Sequence, residues 1–386
     1  MIPYGKQDIN EADIKAVVNV LNSDFLTQGP QVPLFEKCIS EYCGSNYAVS
    51  SNSATSSLHL ACLALGLSQN DWLWTSPNSF VASANCGLYC NAKVDFVDID
   101  PLTYNLSSEK LEDKLIQAKK MDKLPKIVVP VHFAGQSCDM RKIKTLSVKY
   151  GFSIVEDASH AIGSKYLDTL VGGCQYSDIT IFSFHPVKII TTAEGGIATT
   201  NSKDLAQKMR LLKSHGITRE EDMMSGPSIG PWYYQQILLG FNYRMTDLQA
   251  ALGISQLDRI DDFISMRHIL KERYDSLLKD LPIILPFQSK DSYSALHLYP
   301  IKIDIKKNSN LRRAQVYKNL IANGVGVNVH YIPIHTQPYY QDLGFKYGDF
   351  PNSEVYYESA LSLPLFPSMT IKQQDKVISE LGQILQ

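Results

Sequence analysis

Residues 178–200 read DITIFSFHPVKIITTAEGGIATT. The run DITIFSF (178–184) holds apolar side chains and small hydroxyls, which is typical of a strand buried on both faces. The run ITT-AEGG-IATT predicts a hairpin, because β-branched residues flank a turn that contains two glycines. Lys188 is the one lysine in the stretch, and a buried lysine is costly unless its charge is paired or neutralised. The stretch therefore predicts a buried sheet that carries an unusual amine.

Similar apolar runs precede this stretch, and helical segments separate them. In 56–65, for example, Leu58, Ala61 and Leu65 share one face at the 3.6-residue spacing of a helix. The predicted strands are YAVSS (47–51), DWLWTS (71–76), KVDFVDI (93–99), KIVVPVHF (126–133), FSIVE (152–156) and DITIFSF (178–184). Buried strands joined by helices, such as that predicted over 140–151, favour a largely parallel sheet in an α/β fold.

The pattern changes after residue 245. Thr246 and Gln249 make a capping box, which predicts the start of a long helix that ends near Leu281, before Pro282. Residues 215–240 are expected to form a long irregular loop of the kind that often covers a site. The elements predicted beyond the long helix are a strand (297–303), a helix (311–324), a strand (325–332) and a C-terminal helix. They indicate a second, smaller α+β unit.

Composition narrows the classes of function. The chain has 386 residues, 44% hydrophobic and 20% charged, which is typical of a globular protein with a large core. A net charge of −2 gives no basic surplus for nucleic acid. The N-terminus lacks a signal-peptide pattern, and no apolar run reaches the roughly 18 residues of a membrane helix. Seven cysteines without zinc-like spacing predict reduced thiols, no metal site and a cytoplasmic location.

Three polar stretches follow predicted strands, where open α/β sheets bind ligands. Small residues at 52–56, including Ala54 and Thr55, precede a helix and offer backbone N–H groups to an anion. Asp157 and His160 lie in VEDASH (155–160), and Phe80 lies in NSFVAS (78–83). Taken alone, each stretch also has a structural explanation: a helix cap, a solvated acid or a core phenylalanine.

Together with Lys188 and Ser183, these stretches offer the groups that pyridoxal phosphate needs. The cofactor requires an amine for its aldehyde, a cup for its phosphate, a carboxylate beside its pyridine nitrogen and a flat face against its ring. We therefore expect a pyridoxal-phosphate site.

The chain resembles the pyridoxal-phosphate-dependent nucleotide-sugar aminotransferases of the DegT/StrS type. Seven motifs carry the resemblance: FLTQGPQVPLFEK (25–37), NSATSSLHL (52–60), SFVASANCGLYC (79–90), VEDASHAIGSKY (155–166), FSFHPVKIITTAEGG (182–196), HGI (215–217) and LGFNYRMTDLQAALG (239–253). The resemblance implies an aspartate-aminotransferase-like (fold type I) architecture. It also implies a large cofactor-binding domain over 1–245 and a small C-terminal domain over 246–386 that completes the substrate cleft.

The resemblance also implies roles for the cofactor residues. Lys188 would form the Schiff base with pyridoxal phosphate and shuttle the proton, and Asp157 would pair with the pyridine nitrogen. Phe80 would stack on the ring, and His160 would stand where many relatives have glutamine near the phenolic oxygen. The residues implied for the phosphate are Ala54, Thr55, Ser183 and, from a partner subunit, Asn242. The active site is therefore expected to be shared within a homodimer. Ala193 stands where many relatives have glycine.

Substrate contacts follow from the resemblance as well. The residues implied are Tyr4, Asp24, Phe25, Leu26, Thr27, Arg244, Asn328, Val329, His330 and Tyr331. Arg244 has an alternative reading as a surface salt bridge. His330 and His335 raise the alternative of a metal site, which Pro333 and the non-helical spacing disfavour.

Within the family, SFHPVKIITTAEGG and NVHYIPIH (328–335) most resemble enzymes of pseudaminic acid synthesis. The implied reaction moves the amino group of glutamate to C4 of UDP-2-acetamido-2,6-dideoxy-β-L-arabino-hex-4-ulose. Two alternatives are an aminotransferase for another UDP- or dTDP-linked 4-keto or 3-keto sugar, and a non-catalytic binding or regulatory protein on the same fold. Lys188 disfavours the dehydrating branch of the family, which carries histidine there, and the lack of a GxGxxG after the first strand disfavours a nicotinamide-dependent dehydrogenase.

Overall fold

The computed structural model describes residues 1–304 and 312–385. The α-helices are α1 (Glu11–Leu21), α2 (Gln31–Cys43), α3 (Ala54–Ala64), α4 (Ala82–Tyr89), α5 (Ser108–Lys120), α6 (Met140–Tyr150), α7 (Lys203–Leu212), α8 (Asp247–Leu257), α9 (Ile260–Leu278), α10 (Arg313–Ala322), α11 (Pro338–Asp342), α12 (Pro351–Ser359) and α13 (Ile371–Leu385). The strands are β1 (Tyr47–Ser51), β2 (Trp72–Thr75), β3 (Lys93–Phe96), β4 (Ile127–Val129), β5 (Ser153–Asp157), β6 (Lys165–Tyr166), β7 (Thr169–Leu170), β8 (Ile179–Ser183), β9 (Gly196–Thr200), β10 (Ile217–Thr218), β11 (Gln235–Gln236), β12 (Ile283–Ile284), β13 (Ser292–Tyr293), β14 (Tyr299–Ile303) and β15 (Ala360–Leu363). None of the helices over these two ranges has the length and apolar character that would span a bilayer.

Seven strands form the central sheet in the order β1-β9-β8-β5-β4-β2-β3. The pairs β3–β2, β2–β4, β4–β5 and β5–β8 are parallel, whereas β9 runs antiparallel to both β8 and β1. The mostly parallel α/β sheet that the sequence predicted is confirmed. Because β5 and β8 are parallel neighbours, the residues after them meet at one edge of the sheet.

Side chains alternate between the two faces of this sheet, and both faces are covered by packed helices. On one face, Val155 and Ile181 pack with Leu58 of α3 in one hydrophobic cluster. On the other face, Ile154 and Phe182 lie in two further clusters, built with other helices. Burial on both faces explains why these strands are continuously apolar in sequence.

The hairpin predicted within 190–200 is wrong in its first arm. Residues 196–200 do form β9, but its partners are β8 and β1, and residues 184–195 form a loop. Phe184 closes this loop, since its N–H donates to the Gly195 carbonyl and its carbonyl accepts from the Thr192 N–H and the Thr191 hydroxyl. Ile189 and Ile190 are apolar because they are buried beneath the loop, rather than because they pair in a strand.

The single long helix predicted from Thr246 is also wrong, although its capping box with Gln249 is confirmed. Two helices, α8 and α9, meet at Arg259, whose φ of −111° and ψ of 7° are not helical. The Arg259 guanidinium binds the carboxylates of Asp8 at 2.7 Å and Asp13 at 2.5 Å. These ion pairs to the N-terminal segment compensate for the interrupted helix.

Helix α9 joins two cores. Phe263 and Ile264 near its start pack in a cluster on the side of the seven-stranded sheet. Tyr274 and Leu278 near its end pack with β14, β15, α10 and α13 in the C-terminal cluster. The boundary predicted at residue 245 stays a prediction.

A three-stranded antiparallel sheet, β12-β14-β15, lies in the C-terminal part. The strand predicted over 325–332 is wrong, because this segment makes isolated bridges, from Val325 to Ile2 and from Asn328 to Ser362, instead of a ladder. Its partners are thus two different segments, one on each side. The helix predicted over 311–324 appears as α10, and Leu311 lies outside the described residues. Residues 215–240 are largely irregular, with β10 and β11 as a short antiparallel pair.

Candidate active site

A cleft of about 530 Å³ opens at the carboxyl ends of β5 and β8. The loop after β8, the start of α3 and the segment 328–331 form its walls. It brings together residues that are far apart in sequence. The predicted site residues that line it are Tyr4, Ala54, Thr55, Phe80, Asp157, His160, Ser183, Lys188, Asn328, Val329, His330 and Tyr331.

Lys188 lies on the loop between β8 and β9, anchored below by the buried Ile189 and Ile190. Its side chain is half-buried in the lining of the cleft. Burial lowers the pKa of Lys188 to about 8, and the negative charge of Asp157 opposes part of that change. At pH 7 about a tenth of the Lys188 amine is therefore unprotonated, against less than about a thousandth for a lysine in solvent, and this neutral form can act as a nucleophile or a base.

Asp157 ends β5 and is 5% exposed. Its Oδ2 accepts a hydrogen bond of 2.5 Å from the Ser83 hydroxyl, and its Oδ1 accepts from the Ser159 hydroxyl at 2.6 Å and the Ser159 N–H at 3.1 Å. These three bonds fix the orientation of the carboxylate toward the cleft. Sequence reasoning missed Ser83 and Ser159, although both stand in the polar stretches that carry Phe80 and Asp157.

The neighbouring acid, Glu156, points to the opposite face of β5. His132 Nε2 binds it at 2.6 Å, and the hydroxyls of Ser177 and Thr180 donate to it as well. Burial by itself would raise the pKa of Glu156, but these partners lower it. Glu156 is thus a satisfied structural acid, and Asp157 is the acid that faces the cleft.

The start of α3 forms a small cradle with β9. The Ser53 hydroxyl caps the helix by accepting from the Ser56 N–H at 3.1 Å, which leaves the first N–H groups, those of Ala54 and Thr55, without an intrahelical partner. Gly196 packs so closely that a Cβ there would lie 2.4 Å from Ala54 N. Ser183 adds its hydroxyl at the same edge of the cleft. Free N–H groups at a helix N-terminus attract phosphate.

His160 lies deeper in the cleft and is buried. Its Nδ1 accepts from the Ala134 N–H at 3.3 Å, so the proton of the neutral ring is assigned to Nε2, which donates to the Tyr331 hydroxyl at 3.0 Å. Burial lowers the pKa of His160 well below its usual value, and the charge of Lys188 lowers it further. His160 is thus a neutral, oriented imidazole.

The DegT/DnrJ/EryC1/StrS aminotransferase family matches residues 7–382. The chain belongs to this family.

Three known relatives align with the full length of this chain. The spore coat polysaccharide biosynthesis protein SpsC of Bacillus subtilis (strain 168) is 38% identical, over 100% of this chain and 97% of SpsC. The UDP-4-amino-4,6-dideoxy-N-acetyl-beta-L-altrosamine transaminase of Campylobacter jejuni (strain 81-176) is 37% identical, over 100% of this chain and 98% of its own. Among solved structures, Helicobacter pylori PseC, an aminotransferase involved in the biosynthesis of pseudoaminic acid, gives a TM-score of 0.89 at 31% identity, over 100% of this chain and 99% of PseC. The protein is therefore a sugar aminotransferase with the fold of the family.

DegT-family aminotransferases depend on pyridoxal phosphate, and the residues of this cleft fit that group. The cradle of Ala54, Thr55 and Ser183 suits a phosphate, and the space left by Gly196 would be filled by any side chain there. Asp157 is a fixed carboxylate, and Lys188 is an amine of lowered proton affinity. Phe80 lines the cleft and is 61% exposed, so its ring is accessible to a ligand.

Several residues predicted for the DegT-family site do not line this cleft. Asp24 and Phe25 line a separate groove between α1 and α8, and Thr27 bridges to Thr246. The Arg244 guanidinium donates to the Ser214 hydroxyl at 3.3 Å, and Asn242 bridges to Ser214. Leu26 is exposed, and its carbonyl accepts from the Asp247 N–H. Their predicted roles in substrate or cofactor binding stay predictions.

The reading of His330 as a metal ligand finds no support in the geometry. His330 Nδ1 binds the Ser362 hydroxyl at 2.9 Å, whereas His335 is buried and its Nε2 binds Glu354 at 2.8 Å. Burial lowers the pKa of His330 to about 3, with a smaller contribution from Lys188. His330 therefore lines the cleft as a neutral ring.

Proposed function

We propose that this enzyme transfers the amino group of L-glutamate to C4 of UDP-2-acetamido-2,6-dideoxy-β-L-arabino-hex-4-ulose, in the biosynthesis of pseudaminic acid or a related surface glycan. One observation carries the proposal: a half-buried amine of lowered pKa, Lys188, shares a cleft with a fixed carboxylate and an anion cradle. The names of the Campylobacter and Helicobacter relatives support this choice of sugar.

The residues divide the chemistry as follows. When bound, pyridoxal phosphate supplies an electron sink beside the amine that is transferred. Asp157 would hold its ring nitrogen, the Ala54–Thr55–Ser183 cradle its phosphate, and Phe80 one face of its ring. Lys188 Nζ takes a proton from Cα of glutamate in the first half of the reaction and delivers a proton to C4 of the sugar in the second. Because the amine reaches the sugar from one side, the proton arrives on one face and sets the stereochemistry.

The substrate wall is proposed from the cleft residues Tyr4 and 328–331. Tyr4 and His330 have ring centroids 5.5 Å apart, and the Tyr331 hydroxyl accepts a hydrogen bond from His160 Nε2 at 3.0 Å. Their apolar faces and hydroxyls suit a deoxy sugar that offers both a methyl group and hydrogen-bonding groups. A partner subunit would have to contribute the other residues predicted to contact substrate, which are Asp24, Phe25, Leu26, Thr27 and Arg244.

We also propose a homodimer with shared active sites, working in the cytoplasm. Asn242 is exposed, and the segment that precedes it in the chain carries large exposed apolar side chains, among them Trp232 at 71% and Leu239 at 80%. Exposed apolar surface of this kind supports contact with a second copy. The cytoplasmic location is supported by the free state of all seven cysteines.

A second candidate sugar has its own support. SpsC, a spore coat polysaccharide protein, is 38% identical and thus as similar as the altrosamine transaminase. Another UDP- or dTDP-linked 4-keto sugar is therefore the alternative substrate.

Turnover with a panel of UDP- and dTDP-linked 4-keto sugars separates these candidates. The expected result is highest kcat/KM with the β-L-arabino-hex-4-ulose, and nuclear magnetic resonance of the product shows whether the C4 amine is axial or equatorial. A dTDP sugar turned over at least tenfold faster would contradict the proposed substrate and leave the aminotransferase reaction intact.

Lys188→Ala tests the role of the amine. The variant should lose turnover to background and lose the visible absorbance of the covalently bound cofactor, while its circular dichroism stays unchanged. Lys213→Ala is a matched control, since that lysine is paired with Glu36 at 2.8 Å outside the cleft. Retained turnover in Lys188→Ala would remove the central assignment.

A further inference from the structure

His297 is a wall residue of the cleft that the reaction described above does not use. It precedes β14, is 4% exposed and has its ring centroid 4.5 Å from that of His160. No sequence motif marked it, because its neighbours in the chain are an ordinary buried strand. Its place in the cleft arises from the packing of the C-terminal sheet against the large one.

The polar atoms of His297 differ from those of the other two imidazoles in the cleft. His160 and His330 each have hydrogen-bonding partners at both ring nitrogens. In His297, Nδ1 is sealed from solvent without a partner, and Nε2 has no hydrogen bond to the described residues but is not sealed. Because a sealed N–H without an acceptor is rarer than a sealed acceptor, we assign the proton to Nε2. His297 therefore offers an unused N–H donor to the cleft.

A buried cation lies behind this wall. Arg267 of α9 is 1% exposed, and its Nη1 donates to the carbonyls of Leu296, His297 and Leu365 at 2.9 to 3.2 Å. Among the described residues it has no carboxylate partner. Burial lowers the pKa of Arg267 to about 9, so the guanidinium remains charged at neutral pH. The field of an unpaired buried cation is weakly screened and favours a negative group nearby.

The charge also keeps His297 neutral. Burial lowers the pKa of His297 well below its usual value, and electrostatic interaction with the adjacent His160 ring and with the cations Lys188 and Arg267 lowers it further. A neutral donor backed by a fixed positive charge is suited to bind an anion that enters and leaves in each cycle.

We propose that His297 Nε2–H, with the Arg267 charge behind it, binds the α-carboxylate of the amino donor. The inference rests on the proposed function, because it assigns a subsite for glutamate. The α-carboxylate is one bond from the carbon that Lys188 deprotonates, so it must lie in the inner cleft. The anion cradle at the start of α3 is taken by the cofactor phosphate, which leaves the His297 wall for the second anionic group. The sugar substrate carries its charge on a diphosphate several bonds from C4 and has no anion at this depth.

The test compares His297→Phe with His297→Gln in the holoenzyme. Phenylalanine removes the donor and keeps the ring, whereas the glutamine amide nitrogen stands near the position of Nε2. Loss of a hydrogen bond to a charged group corresponds to a change of about tenfold or more in affinity. We therefore expect the Kd of glutarate, by titration calorimetry, to rise at least tenfold in His297→Phe and to recover to within about threefold of wild type in His297→Gln.

The two halves of the reaction, followed by stopped-flow absorbance, provide the second readout. The apparent Kd of glutamate should rise in His297→Phe in parallel with that of glutarate, while the sugar half-reaction changes less than threefold. Equal losses in both halves, an effect on the sugar half alone, or no rescue by glutamine would overturn the assignment. If no 4-keto sugar is aminated while glutamate still converts the wild-type cofactor, the proposed sugar fails and the His297 test stands.

Discussion

At the scale of the residue, Lys188 is the group whose chemistry depends most on its surroundings. The same lysine in solvent would be almost fully protonated at pH 7, since the pKa of an unperturbed lysine is about 10.4. Burial in the loop and cleft lowers its pKa to about 8, so the fold increases the neutral fraction of this amine before any ligand binds.

This environment predicts a pH dependence for cofactor uptake. Only the neutral amine condenses with an aldehyde, and a lowered pKa means that the amine becomes neutral as pH rises through about 8. The rate at which apoprotein gains the visible absorbance of bound pyridoxal phosphate should therefore rise about tenfold per pH unit below 8 and level off above it. A rate that keeps rising to pH 10 would show that the Lys188 pKa is not lowered.

How far single residues could be predicted depends on whether their partners are local. Lys188, Asp157 and Ala54 lie in short motifs that bear their chemistry in sequence, and the structure gathers them in one cleft. The adjacent acids Glu156 and Asp157 could not be separated in role, because His132, the partner of Glu156, is 24 residues away in sequence. His297 has no local motif at all, and its exposure to the cleft results from the way two sheets pack.

At the scale of the element, the start of α3 depends on β9 being able to approach it. The fold places Gly196, the first residue of β9, against the backbone of Ser53 and Ala54. The sequence predicted both the helix and the glycine turn, but it assigned the turn to a hairpin within 190–200. The pairing of β9 with β8 and β1 could not be predicted. The loop that carries Lys188 separates β8 from β9, and Ser51 of β1 pairs with Gly196, which is 145 residues later in the sequence.

Gly196→Ala should therefore damage the cradle. The new Cβ would meet Ala54 N at 2.4 Å and Ser53 O at 2.5 Å, and both are backbone atoms that cannot move aside without displacing the helix. Overpacking of this kind costs about 1–3 kcal/mol, so the apoprotein should unfold at lower urea and bind pyridoxal phosphate at least tenfold more weakly. Gly382→Ala is the control, since that glycine lies in α13 with nothing within 4 Å. It should raise stability by about 0.5–1 kcal/mol, and equal behaviour of the two variants would contradict the proposed cradle.

At the scale of the whole molecule, the proposed dimer accounts for the predicted residues that lie outside the cleft. In the described residues, Asn242 and the segment 24–27 do not line the cleft of their own chain. The exposed side chains Ile229, Trp232 and Leu239 lie on the segment that precedes Asn242. Sequence could suggest this segment as a binding loop, but a single chain gives no geometry for a second copy.

Dissociation and cofactor loss should therefore occur together. Trp232→Glu and Leu239→Glu place charges on the proposed interface, and we expect each to weaken self-association at least tenfold in sedimentation velocity. The affinity for pyridoxal phosphate should fall in parallel, because Asn242 of the second copy would be lost. Val148→Glu is the control, since Val148 is 76% exposed on α6. Variants that become monomeric and keep full cofactor affinity would refute a shared site.

Helix α9 is continuous and connects the core of the seven-stranded sheet to the C-terminal core, which lie on the two sides of the cleft. Its first turns are embedded on the side of the seven-stranded sheet and its last turns in the C-terminal core, so opening the cleft by a hinge would have to bend the helix or strip apolar side chains from one end. The width of the cleft is then set by construction rather than by closure on a ligand. Both half-reactions would then take place in a cleft of the same width. The amino acid and the sugar nucleotide would be distinguished by the fixed side chains that each of them contacts.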